Sequence, residues 1–420
     1  MAESLCPRAG DRLIPLADAQ AHVLERVAPL APARVWTVAA VGCVLAEAIS
    51  SPEDVPPFAN TAMDGYAVRA ADTVGASAQA PVELPVVAEV AAGHPAAAAL
   101  EPGEAMRIYT GAPLPDGADA VVMVERTRRL DDGTRVAIEA PVAAGLHVRV
   151  AGDDLRAGDD VFGPGEVITA GHLGVLAGIG VGEVLVHPRP RVGVLSTGDE
   201  LVDGGGPLAP GQIRDSNRAT LLALVAQSGC MALDLGLIRD DDDAISNAIN
   251  EGAATCDAVI TSGGVSMGDL DLVKVVLDRL GDMRWMQIAI RPAKPFAFGL
   301  VGERSTPVLG LPGNPVSSMV SFELLARPAL RRLAGRSDLH RPAVPAVAAE
   351  PFVRSPDGKV HFARVRAERD AGGVLHVRSA GGQGSHHLTA MARAQGLAVL
   401  PDGDGIPRGA EVRVLLLEEV

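Results

Sequence analysis

The spacing of apolar positions changes character repeatedly along the chain. Near the start, Val23, Val27 and Leu30 repeat at helical spacing, with Asp18 placed to cap them and Pro29 and Pro32 to end the run. From Val82 to Ile138 the period shortens. Leu84 to Val90, Ala105 to Tyr109, Ala120 to Val124 and Arg135 to Ile138 read as short strands punctuated by Gly and Pro, the pattern of a small mostly-β domain. Thr169 is placed to cap a helix from Ala170 to Ala177.

From Arg189 onward strands alternate with helices, which predicts an open parallel sheet. The expected strands are Val192 to Leu195, Met231 to Ile238, Ala258 to Ile260, Met286 to Ile290, Pro295 to Leu300 and one opening at Val308. Helical periods fall between them, as in Val273, Val276, Leu277 and Leu280. Pro342 to Pro345 reads as a linker. Short strands then return at Val360 to Arg366, Leu375 to Arg378, Gly396 to Leu400 and Val412 to Leu417. The expected fold class is α/β multidomain. A central open, mostly parallel α/β sheet domain is joined to an N-terminal mostly-β domain and a C-terminal β-barrel or sandwich.

In an open parallel sheet, ligands sit off the carboxyl ends of the strands. Chemistry-bearing residues collect at those ends. Thr261-Ser262-Gly263-Gly264 follows one strand, and Ser266, Asp269 and Asp271 lie between it and the next helix. Glycines admit backbone N–H groups to an anion, and a helix N-terminus favours negative charge. Acids beside such a cradle point to a metal ion between carboxylate and anion. Thr197 to Glu200 ends another strand with a hydroxyl, a glycine and two acids. Asp240 opens a run of four aspartates after a third strand, and the rest of that run complements the next helix dipole. Arg291-Pro-Ala-Lys294 brings two cations, and Pro312 to Ser318 forms another strand-turn-helix, with Pro315 suited to a first helical turn. Elsewhere, Asp64-Gly65 is a turn signal, Thr110 opens a loop between two strands, and Gly381 to Ser385 reads as a flexible loop able to close over a ligand.

Composition narrows the function classes. The net charge of −15 opposes nonspecific binding to a nucleic-acid backbone, and 3% aromatics cannot build a base-stacking platform. No partner nucleic acid is expected. The four cysteines show no metal-ligating or disulfide-framework spacing, which suits free thiols in a reducing compartment. No signal peptide is evident at the N-terminus, and the most apolar stretch, Leu173 to Gly182, is too short to span a bilayer. A cytoplasmic protein without a membrane partner is expected.

These motifs together resemble the molybdopterin molybdenumtransferase family, which includes the C-terminal domain of gephyrin. The resemblance runs through Met63 to Ala67, Thr110 to Asp119, Ser196 to Leu201, Asp215 to Asn217, Thr261 to Asp271, Leu311 to Ser317 and Gly382 to Ser385. It implies insertion of molybdate into the dithiolene of adenylylated molybdopterin with release of AMP, assisted by Mg2+. It further implies that Asp64, Glu200, Asp240 and Asp271 are catalytic and that Asp269, Asp271 and Glu200 hold metal. Thr110, Thr261, Ser262, Gly263, Gly264, Ser266, Arg291, Lys294, Pro312, Asn314, Pro315, Ser317 and Ser385 are the expected binding residues, with Lys274 adding positive potential. Gln287 and Arg291 stand where some members have lysines.

The same resemblance implies a molybdopterin-binding type of sheet domain at 186–336 and a mostly-β domain at 51–145. A discontinuous piece at 1–50 and 146–185 and a barrel at 342–420 complete the expected division. Its expected assembly is a homodimer, with molybdopterin adenylyltransferase and molybdoenzymes as further partners. Two other readings compete: a gephyrin-like scaffold that binds molybdopterin without turnover, and an adenylyltransferase or hydrolase acting on a related nucleotide.

Overall fold

A computed structural model describes residues 13–265 and 272–418. The chain forms two compact units. The smaller comprises Trp36–Ala39 and Glu47–Val184; the larger contains the chain up to Val35, Ala40–Ala46 and everything from Leu185.

The smaller unit is built on a six-stranded sheet in the order Ala120–Met123, Gly65–Val68, Ala105–Ile108, Val82–Val90, Arg135–Ile138, Thr127–Leu130. Alternating side chains put Tyr66, Val68, Ala120, Val122, Val136 and Ile138 into one core. Gly65 opens a strand held between two neighbours, and a Cβ there would lie 2.1 Å from the Val122 carbonyl oxygen. Only glycine fits. The helix Ala170–Gly178 starts as expected, with Thr169 Oγ1 accepting from the His172 N–H.

The larger unit carries a second six-stranded sheet, ordered Met231–Ile238, Arg191–Thr197, Ala258–Ser262, Thr306–Leu311, Pro295–Val301, Gly281–Gln287. The first four strands are parallel. The last two join antiparallel, so the sheet is mixed at one side. Successive side chains face opposite layers. Val194, Ile260 and Leu309 pack with Leu221 and Val225 of the helix Asn217–Gln227. Leu195, Val259 and Val308 pack with Ile245 and Ile249 of Asp242–Thr255 and with Val273, Val276 and Leu277 of Leu272–Leu280.

Three boundaries differ from the sequence reading. The helix expected to begin at Asp18 spans Leu16–Glu25, with Pro15 at its N-cap and no side-chain cap. Proline has no N–H to satisfy there, and Asp18 sits within the first turn, complementing the dipole. The strand expected at Met286 to Ile290 begins at Gly281, directly after the helix ending at Leu280. Its polar alternation, with exposed Asp282 and Arg284, hid an edge strand. Ile290–Arg291 leaves that sheet to pair with Val360 and His361. Pro342 to Pro345 is not a linker, because Ala343–Ala348 is a strand pairing antiparallel with Glu411–Leu416. Pairing with its other neighbour begins only at Val347, so Pro345 is tolerated.

That strand helps close a five-stranded barrel. Val360–Arg369, Leu375–Ser379, Ala343–Ala348, Glu411–Leu416 and Gly396–Leu400 follow in order, and the last pairs back to the first. Closure removes the edges of a short sheet. Cys43, Cys230 and Cys256 are buried and free, and burial pushes the Cys230 thiol up to about 12. No described helix is long and apolar enough to cross a membrane.

The α/β layer meets the segment leading into the barrel through one buried acid. Glu323 lies in a π-helical turn, Phe322–Ala326, and is only 4% exposed. Arg341 donates to both its carboxylate oxygens at 2.8 and 3.0 Å, and Arg327 Nε lies 3.6 Å away. Removing one partner of such a pair leaves buried charge unbalanced. Glu323→Ala should therefore cost about 3–5 kcal/mol of stability, read as a lowered urea midpoint. An unchanged midpoint would show that the two arginines find other partners.

Candidate active site

The mixed sheet directs five connections to one edge. Leu195, Thr261 and Gly310 stand side by side in register, so the parallel strands end together after Thr197, Ser262 and Leu311. Antiparallel pairing of Gln287 with Pro295, and of Ala297 with Gly310, brings the Arg291 to Lys294 turn to the same edge. A cavity of about 400 Å3 opens there. Its lining includes Thr197, Glu200, Asp240, Gly263, Pro312 and Asn314.

Backbone, not side chains, dominates one wall. Gly263 and Gly264 have φ of +97° and +72°, which favour glycine. Gly263 donates its N–H to the Leu311 carbonyl at 3.0 Å, continuing the ladder beyond the strand. The sequence reading assigned Gly264 to ligand approach. Here a Cβ on Gly264 would lie 2.2 Å from Val273 Cβ, so the following helix is what excludes a side chain. Thr261 and Ser262, read as turn residues, are the last two positions of the strand. Thr261 is fully buried, with no hydrogen-bond partner for its hydroxyl, and does not line the cavity. Ser262 is 3% exposed and its Oγ accepts from Asn217.

Acids form the opposite wall. Gly198 has φ +144°, and a Cβ there would lie 2.5 Å from Glu200 Oε2, so this glycine lets the Glu200 carboxylate fold back over its own turn. The Asp240 N–H donates to Asp199 Oδ1 at 3.2 Å. Partial desolvation, then the charges of Asp199 and Glu200, push the Asp240 carboxyl above its ordinary range. Asp269, Asp271 and Ser266 lie outside the described residues. Among the described residues, no three His, Cys, Asp or Glu side chains form a metal-holding group.

The third wall is Pro312 to Asn314, which lead into the helix Pro315–Ser321. Pro315 occupies the first turn, and Ser317 is buried. The Val316 N–H donates to the Ser385 carbonyl at 3.1 Å, which joins the barrel loop to this turn. That loop is not free to swing as a lid. Gln383 accepts from the Arg364 N–H at 2.9 Å and donates to the Arg364 carbonyl at 3.1 Å. Arg364, 1% exposed, donates to the Gly382 and Gly384 carbonyls at 3.1 and 3.2 Å, and burial pushes its pKa down to about 10. Sequence reasoning missed Arg364, because nothing in a β-strand pattern marks one arginine as buried.

The expected cations do not line the cavity. Lys294 is exposed beside Pro295, which does line it. Arg291 is exposed, 4.0 Å from Asp357 of the barrel. Lys274 lies over the Trp285 ring, 5.6 Å from its centroid. In the smaller unit, Asp64 and Thr110 form one constellation. The Thr110 N–H and Oγ1 each donate to Asp64 Oδ1 at 2.8 Å, which holds the carboxyl below its usual range, with Arg107 adding to the effect.

Three regions of the chain match family models: "MoeA N-terminal region (domain I and II)" over residues 14–180, "Probable molybdopterin binding domain" over 193–332, and "MoeA C-terminal region (domain IV)" over 346–417. The chain is 41% identical over 390 residues to molybdopterin molybdenumtransferase 2 of Mycobacterium tuberculosis, spanning 91% of this chain and 94% of that protein. This chain belongs to the molybdopterin molybdenumtransferase family. Another relative, the molybdopterin molybdenumtransferase of Haemophilus influenzae, is 39% identical over 86% of this chain and 88% of its own. Among solved structures, a molybdopterin biosynthesis MoeA protein from Pyrococcus horikoshii superposes with a TM-score of 0.76 at 32% identity, covering 97% of this chain and all of that one.

Asn217 is a further residue of this candidate site, present in the sequence reading only as the end of the Asp215 to Asn217 motif. Its Nδ2 donates to Ser262 Oγ at 2.8 Å and to the Gly313 carbonyl at 2.7 Å, tying two of the three walls together. Asn217→Ala should weaken binding of molybdopterin about tenfold, because two hydrogen bonds that fix the cradle are lost. Asn217→Asp, which removes the donor but keeps the shape, should behave like the alanine variant. Wild-type affinity in the aspartate variant would show that the donor is dispensable.

Proposed function

We propose that this chain inserts molybdate into the dithiolene of adenylylated molybdopterin and releases AMP, giving molybdenum cofactor. The supporting observation is the cavity that sets Gly263, Gly264 and Gly313 backbone against Glu200 and Asp240. Backbone amides and a helix start suit a phosphate, while carboxylates suit proton transfer to the oxo groups that leave molybdate as water. Asp64, held ionised by Thr110, is proposed as a further acid of the reaction. Arg291 and Lys294 are proposed to attract molybdate, a local positive source on an acidic chain.

Mg2+ is proposed as a cofactor. Glu200 offers the hard oxygen donors it prefers, but the described residues alone do not complete a metal site, and the remaining candidate ligands are Asp269 and Asp271. When bound, Mg2+ would stabilise charge on the phosphate. The residues of this chain hold and orient the substrate around it.

Incubation with adenylylated molybdopterin, Mg2+ and molybdate should release AMP and metallate the dithiolene together. AMP release that does not depend on molybdate would identify a hydrolase instead, and binding without either product would identify a scaffold.

Asp240 provides a pH test. Its raised pKa means that the ionised form is disfavoured in the fold, so its contribution to stability is present at low pH and is lost as pH rises through that pKa. Asp240→Asn should therefore raise Tm at pH 7, with the gain disappearing below about pH 4. Turnover should fall by about 10²–10⁴. A variant that turns over at the parental rate would remove Asp240 from the chemistry.

A homodimer is proposed as the working assembly. Sedimentation equilibrium should then report about twice the chain mass of 43.1 kDa. A single species at the chain mass across micromolar concentrations would exclude it.

A further inference from the structure

On the outer face of the barrel, Val360–Arg369 and Leu375–Ser379 run antiparallel with Arg366 directly opposite Arg378 and Glu368 opposite His376. Directly opposed positions lie about 4.5–5.5 Å apart at Cα, and like charges there destabilise the ladder. Arg393, at the C-terminus of the helix Leu388–Ala392, joins these arginines in lining a concavity of about 400 Å3. Within the described residues, neither Arg366 nor Arg393 has a side-chain hydrogen bond or ion pair. Arg378 reaches only Glu368, at 3.8 Å with both side chains more than half exposed, and His376 is engaged by Asp370 at 3.0 Å. Three guanidiniums therefore face one loosely held carboxylate, on a chain whose net charge is −15. An acidic protein that opposes two arginines across a ladder and leaves them uncompensated carries a local cost that an anion would relieve.

We propose that this concavity binds a small phosphate-bearing anion. The arginines come from two strands and a helix end, so their forked donors reach a common space from different directions. That suits a tetrahedral oxyanion, which accepts bidentate contacts on several faces. A polyacidic peptide would instead need a row of cations along a groove. The concavity shares no lining residue with the cavity at the sheet edge, so the inference stands apart from the proposed transferase reaction.

Inorganic pyrophosphate is the probe, measured by calorimetry on the full chain without molybdopterin. The parent should bind it, and the Arg366→Gln/Arg378→Gln double variant should bind at least about tenfold more weakly, from the loss of charge-assisted hydrogen bonds. Relief of the opposed charges should leave the melting temperature of that variant equal or higher in phosphate-free buffer. Arg393→Gln, outside the ladder, should weaken binding too and covers the case of a misfolded double variant. Equal pyrophosphate affinity in parent and variants would overturn the proposal by placing the anion elsewhere. So would abolition of binding by sodium chloride at matched ionic strength, or tighter binding of hexaglutamate than of pyrophosphate.

Discussion

The register between three parallel strands is the constraint on which the site depends. Leu195, Thr261 and Gly310 are aligned by backbone hydrogen bonds, and their strands end within a residue or two of one another. Because the ladder is continuous, a one-residue slip would turn every inward side chain outward and separate the walls. Two glycines protect the alignment. Gly310 would place a Cβ 2.6 Å from Val265, and Gly264 one 2.2 Å from Val273. Gly264 therefore admits the following helix and Gly310 the Val265 side chain, so these glycines serve close packing as much as access for a ligand.

Polar groups then fix the walls against one another. Arg218, 8% exposed, takes Asp215, Asp203 and Asp234 as partners, and Asp215 accepts from both the Arg218 N–H and Ser196 Oγ at 3.1 Å. This anchors the start of the helix that carries Asn217. A buried cation shared among three acids is well satisfied, and it spends its charge on geometry, not on ligand attraction. Arg364 plays the comparable part in the barrel, with carbonyl oxygens as its partners instead of carboxylates. The loop it holds ends at Ser385, whose carbonyl meets the first turn of Pro315–Ser321.

Charge is distributed unevenly around this frame. The cavity presents Glu200 and Asp240, whereas the candidate cations Arg291 and Lys294 stand beside it, and Arg291 is drawn toward Asp357. Asp357 also receives Arg354 at 2.7 Å, Lys359 at 3.2 Å and His361 at 3.1 Å; against the opposing effect of desolvation, the hydrogen bonds and charges of His361 and Lys359 pull its pKa down to about 2. Gln287 lies at the end of its strand, opposite Pro295. The cationic potential here is therefore a property of several barrel residues and not of the Arg291 turn alone.

Much of this was legible in the order of residues. Period-two and period-3.6 patterns located most strands and helices, because burying one face of each element leaves a direct imprint on composition. Turns marked by Thr197 to Glu200, Gly263-Gly264 and Pro312 to Asn314 could be assigned to strand ends, and from there to one edge, since parallel strands must point the same way. The edge strand Gly281–Gln287, the barrel strand around Pro345 and the burial of Arg364 and Thr261 could not be read. Each depends on what lies beside the residue in space. A half-exposed edge keeps polar residues, a proline is harmless only where no neighbour needs its N–H, and an arginine or threonine looks alike in sequence whether it meets water or a distant loop. Local pattern records which face of an element is buried; only the packed structure decides what that face is buried against.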